Sequence, residues 1–99
     1  DFKWMAGGKK AETQYLKLFV RTGDNELPKV GIAVSSKVFK KATERNKARR
    51  LVSAAFEALY KNLPVTINIL ALPKSGVLKV KSDLVFLDLE EELKKLELL

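Results

Sequence analysis

The sequence predicts an α/β (α+β) two-layer sandwich: a small mixed sheet of about four strands packed on one long helix, with further helices at the N- and C-terminal ends. Three observations predict it. Residues 14–21 and 29–35 alternate with the period of a strand. Residues 44–62 repeat apolar side chains with the period of a helix. Finally, 99 residues of which 46% are hydrophobic and 31% charged suit a single domain, residues 1–99, with one core.

The elements follow in chain order. Residues 1–6 read as the end of a helix stopped by Gly7 and Gly8. Residues 9–13 are polar and read as loop. In the first strand Leu16, Leu18 and Val20 share one face, and Tyr15, Lys17, Phe19 and Arg21 the other. Residues 22–26 carry turn chemistry, and Pro28 opens the second strand. Its apolar face is Val30, Ile32 and Val34; its other face is Gly31, Ala33 and Ser35. A hairpin between these two strands is expected.

Residues 37–43 form a basic loop. The long helix then carries Ala48, Leu51, Val52, Ala55, Phe56, Leu59 and Leu63 on one face, with Thr43 as its expected cap and Pro64 as its end. Residues 65–72 read as a third strand and 77–81 as a short fourth. Asp88, with Glu91 three residues on, reads as the capping box of a last helix that turns Leu89, Leu93 and Leu96 inward. The predicted core sets Leu16, Leu18, Val20, Val30, Ile32, Val34, Val65, Ile67 and Ile69 under the helix stripe at Leu51, Val52, Ala55, Phe56 and Leu59.

Composition excludes several chemistries. There is no Cys and no His, so a zinc–thiolate site, a thiol nucleophile, a Ser–His–Asp triad and a histidine acid/base are ruled out. No apolar run reaches the ~18 residues of a membrane span. The chain starts at Asp1 and not at Met, so a trimmed N-terminus is expected; no signal peptide is visible.

The net charge of +7 is unevenly spread. Residues 1–82 hold 17 Lys/Arg against 6 Asp/Glu, and residues 83–99 hold 2 against 6. A basic body with an acidic tail calls for an anionic partner, and nucleic acid is the commonest.

Two constellations carry that chemistry. The first is Arg45, Asn46, Lys47, Arg49 and Arg50 in the opening turns of the long helix. Cations there oppose the helix dipole, so an anion is needed to neutralise them. Guanidinium forks grip phosphate, and Asn adds a directional donor and acceptor. Lys37, Lys40 and Lys41 lie just upstream. The second is the face of Tyr15, Lys17, Phe19 and Arg21, where rings alternate with cations beside small residues. Such a floor holds single-stranded nucleic acid, with bases stacked on rings and cations along phosphates. The plainer readings are a solvated charged face, and rings packed under the N-terminal helix against Phe2 and Trp4. The acidic cluster Asp88, Glu90, Glu91 and Glu92 reads as helix capping and not as a metal site.

Residues 31–37 (Gly-Ile-Ala-Val-Ser-Ser-Lys) and 41–50 (Lys-Ala-Thr-Glu-Arg-Asn-Lys-Ala-Arg-Arg) resemble the bacterial ribonuclease P protein subunit. That family carries an Arg-Asn-Arg/Lys-x-Lys/Arg-Arg run on a long helix after a Val-Gly-like strand. The resemblance extends from Asp1-Phe2 through the strand at 15–21 and the run at 67–73 to the terminal helix. Two positions depart from the family pattern: Lys40 stands where Gly is usual before the helix, and Ala6 where a second Phe is usual.

The resemblance implies a left-handed βαβ crossover, against the common hand. It implies a protein that aids a catalytic RNA subunit in the Mg²⁺-dependent, endonucleolytic removal of the 5′ leader from precursor tRNA. The Mg²⁺ would be bound mainly by the partner RNA, and this chain would supply no catalytic residue. Lys37, Lys41, Arg45, Asn46, Lys47, Arg49 and Arg50 would bind the catalytic RNA. Phe2, Trp4, Tyr15, Lys17, Phe19 and Arg21 would bind the leader. The protein would act in the cytoplasm, away from membranes, as a monomer within the complex. A stand-alone RNA-binding protein, for example in ribosome assembly, is the alternative. A protein-only nuclease lacks an acid/base group suited to neutral pH.

Overall fold

The structure is a computed structural model and describes residues 9–24 and 26–99. The expected helix over residues 1–6 and its Gly7-Gly8 stop lie outside the described residues, as do Phe2 and Trp4. The elements run β1 (Lys9–Glu12), β2 (Leu16–Thr22), β3 (Lys29–Ile32), α1 (Ala42–Leu59), β4 (Ile67–Pro73) and α2 (Ser82–Lys95). Short 3-10 helices follow α1 at Tyr60–Asn62 and precede α2 at Ser75–Lys79.

The four strands stand in the order β1-β2-β4-β3. β2 and β4 are antiparallel over their full length, from Leu16 opposite Pro73 to Thr22 opposite Ile67. β3 runs parallel to β4, and α1 makes the crossover between them. The expected β2–β3 hairpin is therefore absent, because β4 lies between the two strands. β4 is buried along most of its length, so the central place with a partner on each edge satisfies its backbone. The turn after β2 crosses the end of β4 instead, and the Gly23 amide donates to the Thr66 carbonyl at 2.8 Å. The Tyr60 hydroxyl donates to the Pro28 carbonyl at 2.7 Å and ties the start of β3 to the end of α1.

Residues 9–12, expected as loop, form β1 and pair antiparallel with β2. Backbone pairing on an outer edge needs no apolar side chains, and charged residues suit such an edge. Lys74 Nζ closes this corner, 2.8 Å from Glu12 Oε2 and 2.7 Å from the Thr13 carbonyl it donates to. The expected strand at 77–81 is instead the 3-10 helix Ser75–Lys79, with Val77 fully buried. Its turn is closed by the Val77 amide donating to the Lys74 carbonyl at 3.0 Å.

Helix starts also differ. α1 begins at Ala42, so Thr43 lies inside the first turn and does not cap it. The Lys41 amide donates to Glu44 Oε1 at 3.3 Å across that turn. α2 begins at Ser82, so Asp88 is mid-helix and not part of a cap. The end of α1 near Pro64 agrees with expectation.

Strand parity and the cross-strand register put Leu16, Leu18, Val20, Ile67, Ile69 and Ala71 on one sheet face. All are buried with Ala48, Val52, Ala55, Phe56 and Leu59 of α1 and Val85, Leu89 and Leu93 of α2. Val65, expected inside, precedes β4 and is 56% exposed. Val34 lies beyond the end of β3 but still packs on the core. Among the described residues no helix is long and apolar enough to cross a membrane.

Candidate nucleic-acid interface

The amphipathic period of α1 commits Ala48, Val52, Ala55, Phe56 and Leu59 to the core and so turns Asn46, Arg49 and Arg50 outward. With Thr43, these three line a shallow depression on the protein surface. Lys47 is exposed, and its Nζ donates to the Leu78 carbonyl at 3.3 Å. Arg45 is half-buried, and its Nη1 donates to the Phe39 carbonyl at 2.8 Å and the Lys40 carbonyl at 3.2 Å.

Among the described residues none of Arg45, Lys47, Arg49 and Arg50 makes an ion pair with a carboxylate. The carboxylates seen in ion pairs among the described residues lie elsewhere: Glu90 and Glu91 pair with Lys94 and Lys95 along α2, and Glu12 pairs with Lys74. Glu44 in the first turn of α1 complements the helix dipole, while the cations one turn on do not. Their charge stays available to a partner.

The loop upstream is pinned at several points. The Phe39 ring is 1% exposed, a core residue that the basic reading of residues 37–43 passed over. The Val38-Phe39 pair inside a lysine-rich stretch was its only sequence signal. Lys37, Lys40 and Lys41 are exposed around it.

The sheet face opposite the helices holds the second constellation. Lys17, Phe19 and Arg21 share it, as expected from β2 parity. Because β4 lies beside β2, their neighbours are Leu72, Leu70 and Asn68, and Gly31 of β3 stands one strand further away, opposite Leu70. A Cβ on Gly31 would come 3.4 Å from Leu70 Cδ1, so the glycine keeps this part of the face low. β1 adds Lys10, whose Nζ is 5.9 Å from the Phe19 ring centroid, at the outer limit of a cation–π contact. Lys10 could not be placed here while residues 9–13 read as loop, nor the β4 residues while β2 was expected to pair with β3.

Tyr15 departs from this group. It precedes β2, packs against the core, and its amide donates to Asp88 Oδ2 on α2 at 3.2 Å. A Cβ on Gly76, in the 3-10 helix before α2, would come 3.9 Å from the Tyr15 ring, so the ring lies beside that helix.

A family model described as Ribonuclease P matches residues 2–97. This chain belongs to the ribonuclease P protein family. It is 38% identical over 81 residues to the ribonuclease P protein component of Pseudoalteromonas atlantica, a match covering 82% of this chain and 67% of that one. It is 32% identical over 68 residues to the corresponding protein of Pseudoalteromonas translucida, covering 69% of this chain and 48% of that relative's length. Among solved structures, the ribonuclease P protein of Thermotoga maritima matches with a TM-score of 0.82 at 28% identity, over 96% of this chain and 90% of that chain. Membership makes this chain a protein component of ribonuclease P, a subunit acting in tRNA processing. The order of elements around residues 45–50 belongs to that family's fold. Family membership favours the subunit reading over a stand-alone RNA-binding protein.

Proposed function

We propose that this ribonuclease P protein binds the catalytic RNA subunit through the start of α1 and the loop before it, and holds the 5′ leader of precursor tRNA on the open sheet face. The observation that carries the reading is the set of cations at Lys47, Arg49 and Arg50 without carboxylate partners among the described residues. Phosphates supply the missing negative charge, and Asn46 supplies a directed hydrogen bond beside them. Lys37 and Lys41 extend the surface upstream. Lys17, Phe19 and Arg21, joined by Lys10, form the floor for an unpaired strand, with Phe2 and Trp4 as further candidates in the N-terminal segment.

Cleavage itself is assigned to the RNA. Mg²⁺ in this reading is bound mainly by the RNA. Among the described residues no three carboxylates converge on a common point. The protein screens RNA charge and positions substrate, as a cytoplasmic monomer within the complex.

The test is precursor-tRNA cleavage with the ribonuclease P RNA of Pseudoalteromonas atlantica at low Mg²⁺. Adding protein is expected to speed cleavage and lower the Mg²⁺ needed. No acceleration overturns the reading. Replacing Arg49 and Arg50 with Ala is expected to flatten the salt dependence of RNA binding by about 0.7–0.9 per lost phosphate contact.

A further inference from the structure

The cations opening α1 are of two kinds. Lys47, Arg49 and Arg50 are exposed, as is the neutral Asn46 among them, whereas Arg45 is half-buried. Arg45 stands three residues before Ala48 and seven before Val52, so the helix period sets it on the flank of the buried stripe. One of its nitrogens, Nη1, donates to two backbone carbonyls, Phe39 at 2.8 Å and Lys40 at 3.2 Å. A planar guanidinium holds such a fork in fixed geometry; an ammonium on a flexible stem does not.

The same loop is fixed at its other end. The Phe39 amide donates to the Ser35 carbonyl at 2.9 Å, and the Lys37 amide to Ser35 Oγ at 3.1 Å. The buried Phe39 ring anchors the middle. Lys37, Lys40 and Lys41 thus project from backbone that is ordered before any partner arrives. Ordering in advance removes a cost that a loose loop would pay on binding.

We infer that Arg45 is a positioning residue: it clamps the 37–41 loop onto α1 so that Lys37, Lys40 and Lys41 meet the same polyanion as Asn46, Arg49 and Arg50. The inference rests on the reading of this surface as the RNA-binding one, and it assigns Arg45 a role different from that of its neighbours. Its charge is secondary to its fork.

The experiment measures the affinity of the full chain for the ribonuclease P RNA of Pseudoalteromonas atlantica. Arg45→Lys and Arg45→Ala are placed in the natural background and in one carrying Lys37→Ala, Lys40→Ala and Lys41→Ala. Arg49→Ala is the reference in both. Arg45→Lys is expected to weaken binding about as much as Arg45→Ala, by roughly tenfold, because it keeps the charge and loses the fork. In the background without loop lysines that loss is expected to shrink below about twofold, since contacting groups couple, while the Arg49→Ala loss persists. Amide exchange at Phe39 in the free protein is expected to speed up in Arg45→Lys, a readout independent of RNA. Wild-type binding by Arg45→Lys, or equal losses in both backgrounds, overturns the inference alone. If the loop-lysine variant and Arg49→Ala both bind as tightly as wild type, the RNA surface lies elsewhere and both readings fall.

Discussion

The amide of Tyr15 donates to Oδ2 of Asp88 at 3.2 Å, joining residues 73 apart in sequence. This bond ties the entry of β2 to the middle of α2, while the Tyr15 carbonyl accepts from the Lys74 amide at 2.8 Å. A carboxylate on a backbone N–H in a half-buried setting is a charge-assisted bond. Asp88→Ala is expected to cost about 1–2 kcal/mol, read as a fall in Tm of about 4–8 °C per kcal/mol for a domain of this size. Asp88→Asn keeps an acceptor oxygen and is expected to lose less. An unchanged Tm in Asp88→Ala would show that the bond adds nothing to stability.

The end of α2 contains a strained residue. Glu97 has φ of 61°, in the left-handed region. The Leu98 amide donates to the Leu93 carbonyl at 2.9 Å and the Glu97 amide to the Lys94 carbonyl at 3.0 Å, the paired bonds of a Schellman stop. Glycine takes that conformation without the steric penalty of a Cβ. Glu97→Gly is expected to stabilise the protein by about 1 kcal/mol in urea unfolding. A loss of stability would contradict the strain.

The Glu12 carboxyl is held below the usual glutamate range, first by its hydrogen bond to Lys74 and then by the charge of that ammonium. A depressed folded-state pKa means that the unfolded chain binds the proton more readily. The contribution of the pair is therefore present above the ordinary value of 4.5 and is lost as pH falls through the lower folded value. Following the Glu12 side-chain carbon by NMR should show a midpoint below 4.5 that moves upward in Lys74→Met. No movement would remove Lys74 as the cause.

On the open sheet face, Phe19→Ala is expected to weaken binding of leader-bearing precursor tRNA by about 1–3 kcal/mol, the range for one stacked base. Mature tRNA, which lacks the leader, should be little affected. Equal losses for both would return Phe19 to a structural role.

Much of the fold was legible because burial imposes periods. The stripe of α1 and the parity of β2 follow directly from which side chains are apolar, and so does the outward turn of Arg49 and Arg50. β1 was not legible, since an edge strand made by backbone pairing leaves no apolar signature in Lys9, Lys10 and Glu12. The start of α2 was missed because Asp88 mimics a cap; its partner, the Tyr15 amide, is remote in sequence.

The sequence alone determined where the helix stripe and strand faces lie, that these 99 residues offer no cysteine or histidine, and which hexapeptide concentrates positive charge. Only the tertiary structure decided that β4 separates β2 from β3, that Lys10 joins Phe19, and that Arg45 turns to carbonyls while Arg49 faces solvent. Periodicity is a local property of neighbouring residues, whereas strand order and long hydrogen bonds depend on which distant backbone groups are left to be satisfied.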